Sequence, residues 1–399
     1  MKKSIKVFQL EGSEYDMGLQ QGTKFQEAIH QMYKDLIHSE DFLAAKPFLI
    51  PKFLFVKLAV YFSSKMVKDS IKTHLPSQWE FLEGLSEGAQ LSMKRILFLQ
   101  AIDALGSQVT KYKETRGNSF PLNNCSAVGI TPNRTDTGGV LIIKNWDGTP
   151  TLAQHIIFRK LTPTYGEKYA TLGSSVDGLG GINNGVNEKG LSMVYSFAYP
   201  LNIGKKGIPP MFLIREVLEH CTTVKESIQM LKQFPRLGGA NMMIADRGGD
   251  LAVVETSPTQ VEVRRKGKKG ESDFLIATNH YVTPVMKQSE VPRNAFYTKG
   301  APKFLQGKLV HRSSILRYKR TYNILKDMEN EKISLDFLNA KVQSDHGPNN
   351  MPSENTFCNH GEKVSTGFGI MMDMKNNQVF AVYGNPCQGS MENLTKKLS

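Results

Sequence analysis

The chain has 399 residues, 40% of them hydrophobic, and its 50 Lys and Arg against 37 Asp and Glu give a formal charge of +13. That length buries a sizeable core and admits one layered α/β unit as readily as two or three domains. The basic excess suits anionic surfaces or substrates, yet the basic residues are scattered, and without an arginine-rich arm, zinc-finger spacing or ribonucleoprotein motif the sequence speaks against nucleic-acid binding.

In chain order, the first 120 residues read as mostly helical after an opening strand. Residues 1–7 carry charge but no apolar run follows, so no secretion signal is read. Residues 18–37 and 80–104 show helical spacing of apolar positions, the second broken near 88–92. Between them, 47–66 is rich in Phe, Leu, Ile and Val but is interrupted by Lys52, Lys57 and Lys65. A spanning helix needs about 20 predominantly apolar residues, so this stretch is read as a core-packing helix hairpin. The alternative is a peripheral membrane contact through 47–66, with Phe53, Phe55, Tyr61 and Phe62 facing lipid beside the lysines. From 112 to 124 the periodicity is lost, which predicts an exposed linker.

At Cys125 the texture changes to strands. Residues 127–130 and 140–144 are β-prone and joined by a turn, a hairpin that would return Asp147 to the neighbourhood of Cys125. Further strands are predicted at 155–161, 168–172, 191–197, 241–245, 251–256, 260–265, 274–279, 369–374 and 379–383. The basic run 264–269 reads as a hairpin loop. Helices are predicted at 210–220, at 223–234 with Thr222 or Thr223 as cap, at 313–328 and at 334–343. Strands, helices, strands, helices, strands suit two packed sheets with helices outside.

The four cysteines, Cys125, Cys221, Cys358 and Cys387, are too few and too widely spaced for a disulfide scaffold. A reducing, cytoplasmic setting is expected. Cys125 follows the linker directly, where processing can occur. If the Asn124–Cys125 bond is cut, the new α-amine sits on the residue that carries the thiol. An α-amine titrates near ~7.7–8.0 and a thiol near ~8.5, so the amine can act as base for its own sulfur without a histidine. A papain-like pairing of Cys125 with His280 or His346 needs no cleavage, but the local papain signature is missing. His346, Cys358 and His360, with Asp345 as fourth ligand, raise a zinc reading. Cys-x-His is not a standard structural zinc spacing, so packing is favoured and no metal is expected. Gly178-Leu179-Gly180-Gly181 lacks the Lys and Ser/Thr of a phosphate loop.

Several short motifs occur in a telling order: Glu11-Gly12-Ser13-Glu14-Tyr15-Asp16-Met17-Gly18 with Gln21-Gly22, then Glu87-Gly88-Ala89, Cys125-Ser126 and Lys144-Asn145-Trp146-Asp147. Gly185-Val186-Asn187-Glu188-Lys189-Gly190-Leu191-Ser192, Thr278-Asn279-His280-Tyr281, Asp345-His346, Cys358-Asn359-His360 and Gly384-Asn385-Pro386-Cys387 follow. Together they resemble the penicillin acyltransferase-like family of N-terminal-nucleophile enzymes, relatives of isopenicillin-N acyltransferase and distant cousins of choloylglycine hydrolases and acid-ceramidase-like amidases.

The resemblance implies an α+β, four-layer αββα sandwich (the Ntn-hydrolase fold) with an N-terminal helical segment. Residues 1–124 would be the pro-segment or small subunit and 125–399 the catalytic domain. It implies autocatalytic cleavage between Asn124 and Cys125, and amidohydrolase or acyltransferase chemistry on linear amides or thioesters through an acyl-Cys125 intermediate. Asp147 would hold amine and thiol, Asn279 would donate its amide to the oxyanion, and Arg317 would stand near the nucleophile. Lys144, Asn187 and Tyr199 would contact a small-molecule acyl substrate. No cofactor is implied, although a coenzyme A thioester is compatible as co-substrate. Asn124 stands where relatives often carry Gly, and Lys144 where they often carry Arg. These two departures motivate the rival reading, a retired scaffold that binds small molecules or lipid.

Overall fold

The chain starts as an edge strand, β1 (Val7–Gly12), and turns at once into a helix, α1 (Glu14–Lys24). Ser13 and Asp16 close its first turn by reciprocal side-chain bonds, a capping box with Asp in the place of the usual Glu. Three more long helices and a short one follow: α2 (Gln26–His38), α3 (Lys52–His74), α4 (Pro76–Gly88) and α5 (Met93–Gln100). The computed structural model describes residues 4–39, 42–43, 46–102, 123–265, 273–298, 301 and 303–396. Most of the expected linker at 112–124, and most of the basic loop at 264–269, lie outside them.

The glycines of the N-terminal motifs are where two helices touch backbone to backbone. A Cβ on Gly18 would lie 2.0 Å from the Phe81 carbonyl oxygen, and one on Gly84 would lie 2.0 Å from that of Tyr15. Gly22 and Gly88 continue the same seam, so α1 and α4 cross more closely than any side chain permits. A buried ion cluster completes the attachment. Glu14 of α1 accepts from Lys168 (2.5 Å) and from Arg215, which also bonds Glu219 at 2.6 Å.

The remaining strands are β2 (Asn123–Ile130), β3 (Leu141–Gly148), β4 (Ile156–Pro163), β5 (Thr171–Val176), β6 (Asn184–Asn187) and β7 (Ser192–Ala198). Two helices come next, α6 (Pro210–His220) and α7 (Val224–Gln233), the second capped by Thr223 with Glu226 reciprocating. Then follow β8 (Gly239–Ala245), β9 (Leu251–Thr256), β10 (Val261–Arg265), β11 (Phe274–Ala277) and α8 (Arg312–Asp327). A π-helical turn spans Leu338–Gln343, and the chain closes with β12 (Ser365–Asp373), β13 (Gln378–Tyr383) and β14 (Glu392–Asn393).

These strands form an eight-stranded sheet, β1-β4-β5-β6-β7-β8-β9-β10, and a six-stranded sheet, β11-β2-β3-β12-β13-β14. Among the described residues, β1–β4 is the only parallel pair of these strands. Alternation along β2 sets the layers. Cys125 and Ala127 join one apolar cluster with Phe158, Val194 and Met243 of the larger sheet. Val128 and Ile130 join another with Leu325 of α8 and Leu338 of the π turn, as a period of two requires. On its other face the larger sheet carries α1, α2 and α4–α7 over a third cluster. The order is helices, sheet, sheet, helices: the expected αββα sandwich.

In the intact chain β1 is an edge strand of the larger sheet, and α1–α5 bury the same core as α6 and α7. One expectation changes. Residues 47–66 do not form a hairpin; one helix, α3, runs from Lys52 to His74. Its second half is buried through Met66, Val67 and Ile71, but Phe53 and Phe62 are 66% and 59% exposed and Phe48 is 95% exposed. Among the described residues no helix is long and apolar enough to cross a membrane. After β6 the chain turns at Gly190, whose φ is positive (+84°).

Candidate active site

The hairpin of β2 and β3 sets the site. Its register places Cys125 opposite Trp146 and Asn124 opposite Asp147. Because neighbours on a strand face opposite ways, Cys125 points between the sheets and Ser126 points at α8. Burial there drives the thiol above its ordinary value; the Lys144 ammonium pulls it back, Asp147 adds to the rise, and Arg317 opposes it.

Arg317 reaches the Cys125 backbone from α8. Its guanidinium donates to the Cys125 carbonyl (2.5 Å), Ser126 Oγ (2.6 Å), Asn279 Oδ1 (2.9 Å) and Ser313 Oγ (3.1 Å). The side chain is fully enclosed, and burial lowers its pKa while Asp147 and Cys125 hold it up. A planar fork suits several acceptors at fixed angles, and here it fixes the peptide unit after Cys125.

Asn279 is also buried beside Cys125, but its orientation differs from expectation. Its Oδ1 accepts from the Cys125 N–H at 2.9 Å and from Arg317, while its Nδ2 donates to the Phe197 carbonyl at 2.8 Å. Two donors converge on one end and a carbonyl meets the other, which fixes the amide assignment. In the intact chain Asn279 therefore holds the Cys125 nitrogen and aims no donor at a developing oxyanion.

Asp147 accepts from Thr366 Oγ1 (2.8 Å) and Asn359 Nδ2 (3.3 Å). Burial raises its carboxyl to about 6, against the opposing charge of Arg317 and these two hydrogen bonds. It acts on Cys125 through its charge; its hydrogen bonds face β12 and the 359 loop.

Of the three expected substrate contacts, the structure keeps one in a cavity. Tyr199 lines a pocket of about 280 Å³ together with Asn124, Tyr297, Phe304, Ser313 and Ser314. Burial pushes its phenol up to about 12. Lys144 is corrected to a buried inter-sheet cation: it donates to Asn184 Oδ1 (2.7 Å) and to the Tyr195 carbonyl. Asn187 is corrected to a scaffold residue. Its amide donates to the Leu218 and Cys221 carbonyls at the end of α6, and its Oδ1 accepts from the Lys189 and Leu191 amides. These four bonds engage the whole Asn187 amide, while the Lys144 ammonium stands beside the Cys125 thiol.

The histidines stand elsewhere. Burial lowers His280 well below its ordinary value, and its ring bonds Ser314 (2.7 Å) and Thr278 (3.0 Å). His346 lies among Cys358, His360 and Cys387. Among the described residues neither ring hydrogen-bonds Cys125, so the papain-like pairing has no geometry here. Asp345 is not beside these groups as a fourth ligand; Arg320 holds it at 3.1 Å.

The sequence reading missed Asn359, Thr366, Ser314 and Asn184. Each is a neutral polar residue whose role depends on which strand or loop packs against it. Only Asn359 had a sequence signal, its place inside the Cys-Asn-His motif.

The family described as acyl-coenzyme A:6-aminopenicillanic acid acyl-transferase matches this chain over residues 134–360. Among solved structures, the chain is similar to a mutant conjugated bile acid hydrolase from Clostridium perfringens, 18% identical, covering 68% of this chain and 93% of that one with a TM-score of 0.41. It is also similar to the Caenorhabditis elegans ortholog of N-acylethanolamine-hydrolyzing acid amidase, at 14% identity, 63% and 93% coverage and a TM-score of 0.40. Penicillin V acylase from Agrobacterium tumefaciens matches at 14% identity, 68% and 86% coverage and a TM-score of 0.34. At such scores the layer order rests on the chain's own packing.

Proposed function

The chain belongs to the acyl-coenzyme A:6-aminopenicillanic acid acyl-transferase family, and on that premise we propose that it is a cysteine amidohydrolase or acyltransferase that activates itself by cutting the Asn124–Cys125 bond. The observation that carries this is the set of contacts on Cys125. Its nitrogen is held by Asn279 and its carbonyl by Arg317, and Lys144 and Asp147 set the charge around its thiol.

In the first reaction the Cys125 sulfur attacks the Asn124 carbonyl carbon. The C–N bond breaks, the departing nitrogen takes the proton, and a thioester joins Asn124 to Sγ. Water then hydrolyses the thioester, leaving a carboxylate on Asn124 and a free thiol on Cys125. Asn124 lines the pocket and Cys125, 1% exposed, does not. Departure of the new Asn124 end opens the sulfur to that pocket.

In the mature enzyme the freed amine, kept in place by Asn279 Oδ1, takes the thiol proton. The thiolate attacks the carbonyl of an acyl amide or thioester held along Tyr199, and the amine returns the proton to the leaving nitrogen of the amide or the leaving sulfur of the thioester. Water resolves the acyl-Cys125 to give an amidase; an amine resolves it to give an acyltransferase. A coenzyme A thioester fits as donor by chemistry alone. No nucleic acid or cofactor enters the scheme, and a reducing cytoplasm suits the free thiol.

Mass spectrometry of the purified protein tests the scheme. Wild type is expected to contain a fragment beginning at Cys125, and Cys125→Ala is expected to stay intact. Wild type that stays whole yet turns over substrate rules out the amine as base. Wild type that stays whole, is inactive and leaves Cys125 unreactive to iodoacetamide points to the retired scaffold.

A further inference from the structure

Behind Asp147 the fold gathers four groups that the proposed chemistry does not use. His346, Cys358, His360 and Cys387 each present one ligand atom, and all four atoms lie within 4.8 Å of one another. The two sulfurs are 3.6 Å apart, and each is 3.3 Å from His360 Nε2. The rings of His346 and His360 stand 4.9 Å apart at 80°. A tetrahedral ion at bond lengths usual for zinc sets sulfur–sulfur edges of roughly 3.8 Å and sulfur–nitrogen edges of roughly 3.6 Å. The two sulfurs and His360 Nε2 therefore need to open by only a few tenths of an ångström to hold one, with the His346 ligand atom within 4.8 Å of all three.

The surroundings suit ligation. His346 Nδ1 faces Asn350 Oδ1 at 3.3 Å, while its Nε2 is buried without a hydrogen-bond partner. That pairing puts the proton on Nδ1 and leaves a lone pair on Nε2. Asn385 Nδ2 lies 3.5 Å from Cys358 Sγ and donates to the Asn359 carbonyl at 2.8 Å, so an amide donor stands beside a prospective thiolate. Cys387 is exposed, which gives an ion a way in. Two thiolates and two neutral imidazoles balance a divalent charge, and an S2N2 tetrahedron selects zinc among common metals.

We propose that His346, Cys358, His360 and Cys387 form a structural zinc site that clamps the 345–361 loop to the 384–387 turn. The spacing hid this because the ligands come from two segments, and the fourth is Cys387 where Asp345 was considered. The clamp has a consequence for the catalytic face. Asn359 lies between two of the ligands in sequence and donates to Asp147; its backbone N–H donates to Thr366 Oγ1 at 2.9 Å, and Thr366 also bonds Asp147. The ion would thus fix the partners of Asp147 without touching substrate, as a positioning element. The site is independent of self-cleavage.

Elemental analysis of the untagged full-length protein is expected to find one zinc per chain, in wild type and in Cys125→Ala alike, and none in the Cys358→Ser/Cys387→Ser double variant. Should that variant not fold, cobalt exchanged into wild type decides the matter. A thiolate-to-cobalt charge-transfer band with tetrahedral visible bands supports the site. Wild type without metal, a Cys358–Cys387 disulfide in the purified protein, metal retained by the double variant, or cobalt spectra without thiolate character would overturn it. Wild type that binds zinc yet stays uncut sinks the catalytic scheme alone, and wild type that is cut yet holds no zinc sinks the metal site alone.

Discussion

Replacing Arg317 by Lys isolates the guanidinium fork while keeping the charge. Arg317 donates four hydrogen bonds: to the Cys125 carbonyl, Ser126 Oγ, Asn279 Oδ1 and Ser313 Oγ. A lysine is a single point donor on a flexible stem and can meet one or two of them. At about 1.5–3 kcal/mol for each hydrogen bond involving a charged group, losing two removes about 3–6 kcal/mol. If that falls on the geometry of the Cys125 peptide unit, self-cleavage slows by about 10²–10⁴-fold at about 1.4 kcal/mol per decade. The assay is the rate at which the Cys125-initiated fragment appears by intact mass, alongside urea unfolding of the uncleaved Cys125→Ala form with and without the Arg317 change. Slowed cleavage should accompany a destabilisation of similar size, because the same acceptors go unpaired. Wild-type cleavage with unchanged stability would refute a role for the fork.

Asp147 offers a pH signature. Burial raises its carboxyl to about 6 from 3.8, so the folded state binds more protons than the unfolded state between those values. Stability from this group is present at low pH and falls as pH rises from about 4 through about 6, by about 3 kcal/mol for two units. Asp147→Asn should flatten that slope in a pH series of chemical melts; an unchanged slope rejects the assignment. If the ionised carboxylate is what supports Cys125, activity rises through about pH 6 in wild type, and Asp147→Asn loses that limb of the pH–rate profile. Gly18→Ala puts a methyl 2.0 Å from the Phe81 carbonyl, and overpacking of this kind costs about 3 kcal/mol; an unaltered thermal midpoint would show that the two helices separate freely. The exposed Phe48, Phe53 and Phe62 beside Lys52 and Lys57 are expected to carry the protein onto anionic vesicles at low salt, and Phe53→Glu/Phe62→Glu to release it. Absence of wild-type sedimentation with such vesicles removes the idea.

Much of the site was readable where local pattern and motif coincide. The hairpin from Cys125 to Asp147 follows from two β-prone runs and a turn, and its register in the fold keeps both near each other. The cap at Thr223, the breaks around α4 and α5, and the placement of Arg317 on a helix are short-range matters that side-chain type decides. The misreadings share another cause. Lys144 and Asn187 were given to substrate because polar residues in a motif invite it, but their partners are Asn184, Tyr195, Leu218 and Cys221, which only packing brings near. The Asn279 amide was expected to face the reacting carbonyl; which end points where is decided by three groups from separate elements, Cys125, Arg317 and Phe197.

The amino-acid order alone determined where most strands and helices form and which cysteine leads into the β2–β3 hairpin, since backbone propensity and hydrophobic period act over a few residues. Tertiary structure alone decided which face of each strand looks between the sheets, which end of a buried amide meets Cys125, and that Cys387 joins His346, Cys358 and His360. Those outcomes hang on burial and on hydrogen bonds between residues up to some two hundred positions apart, and no local pattern encodes a partner that distant.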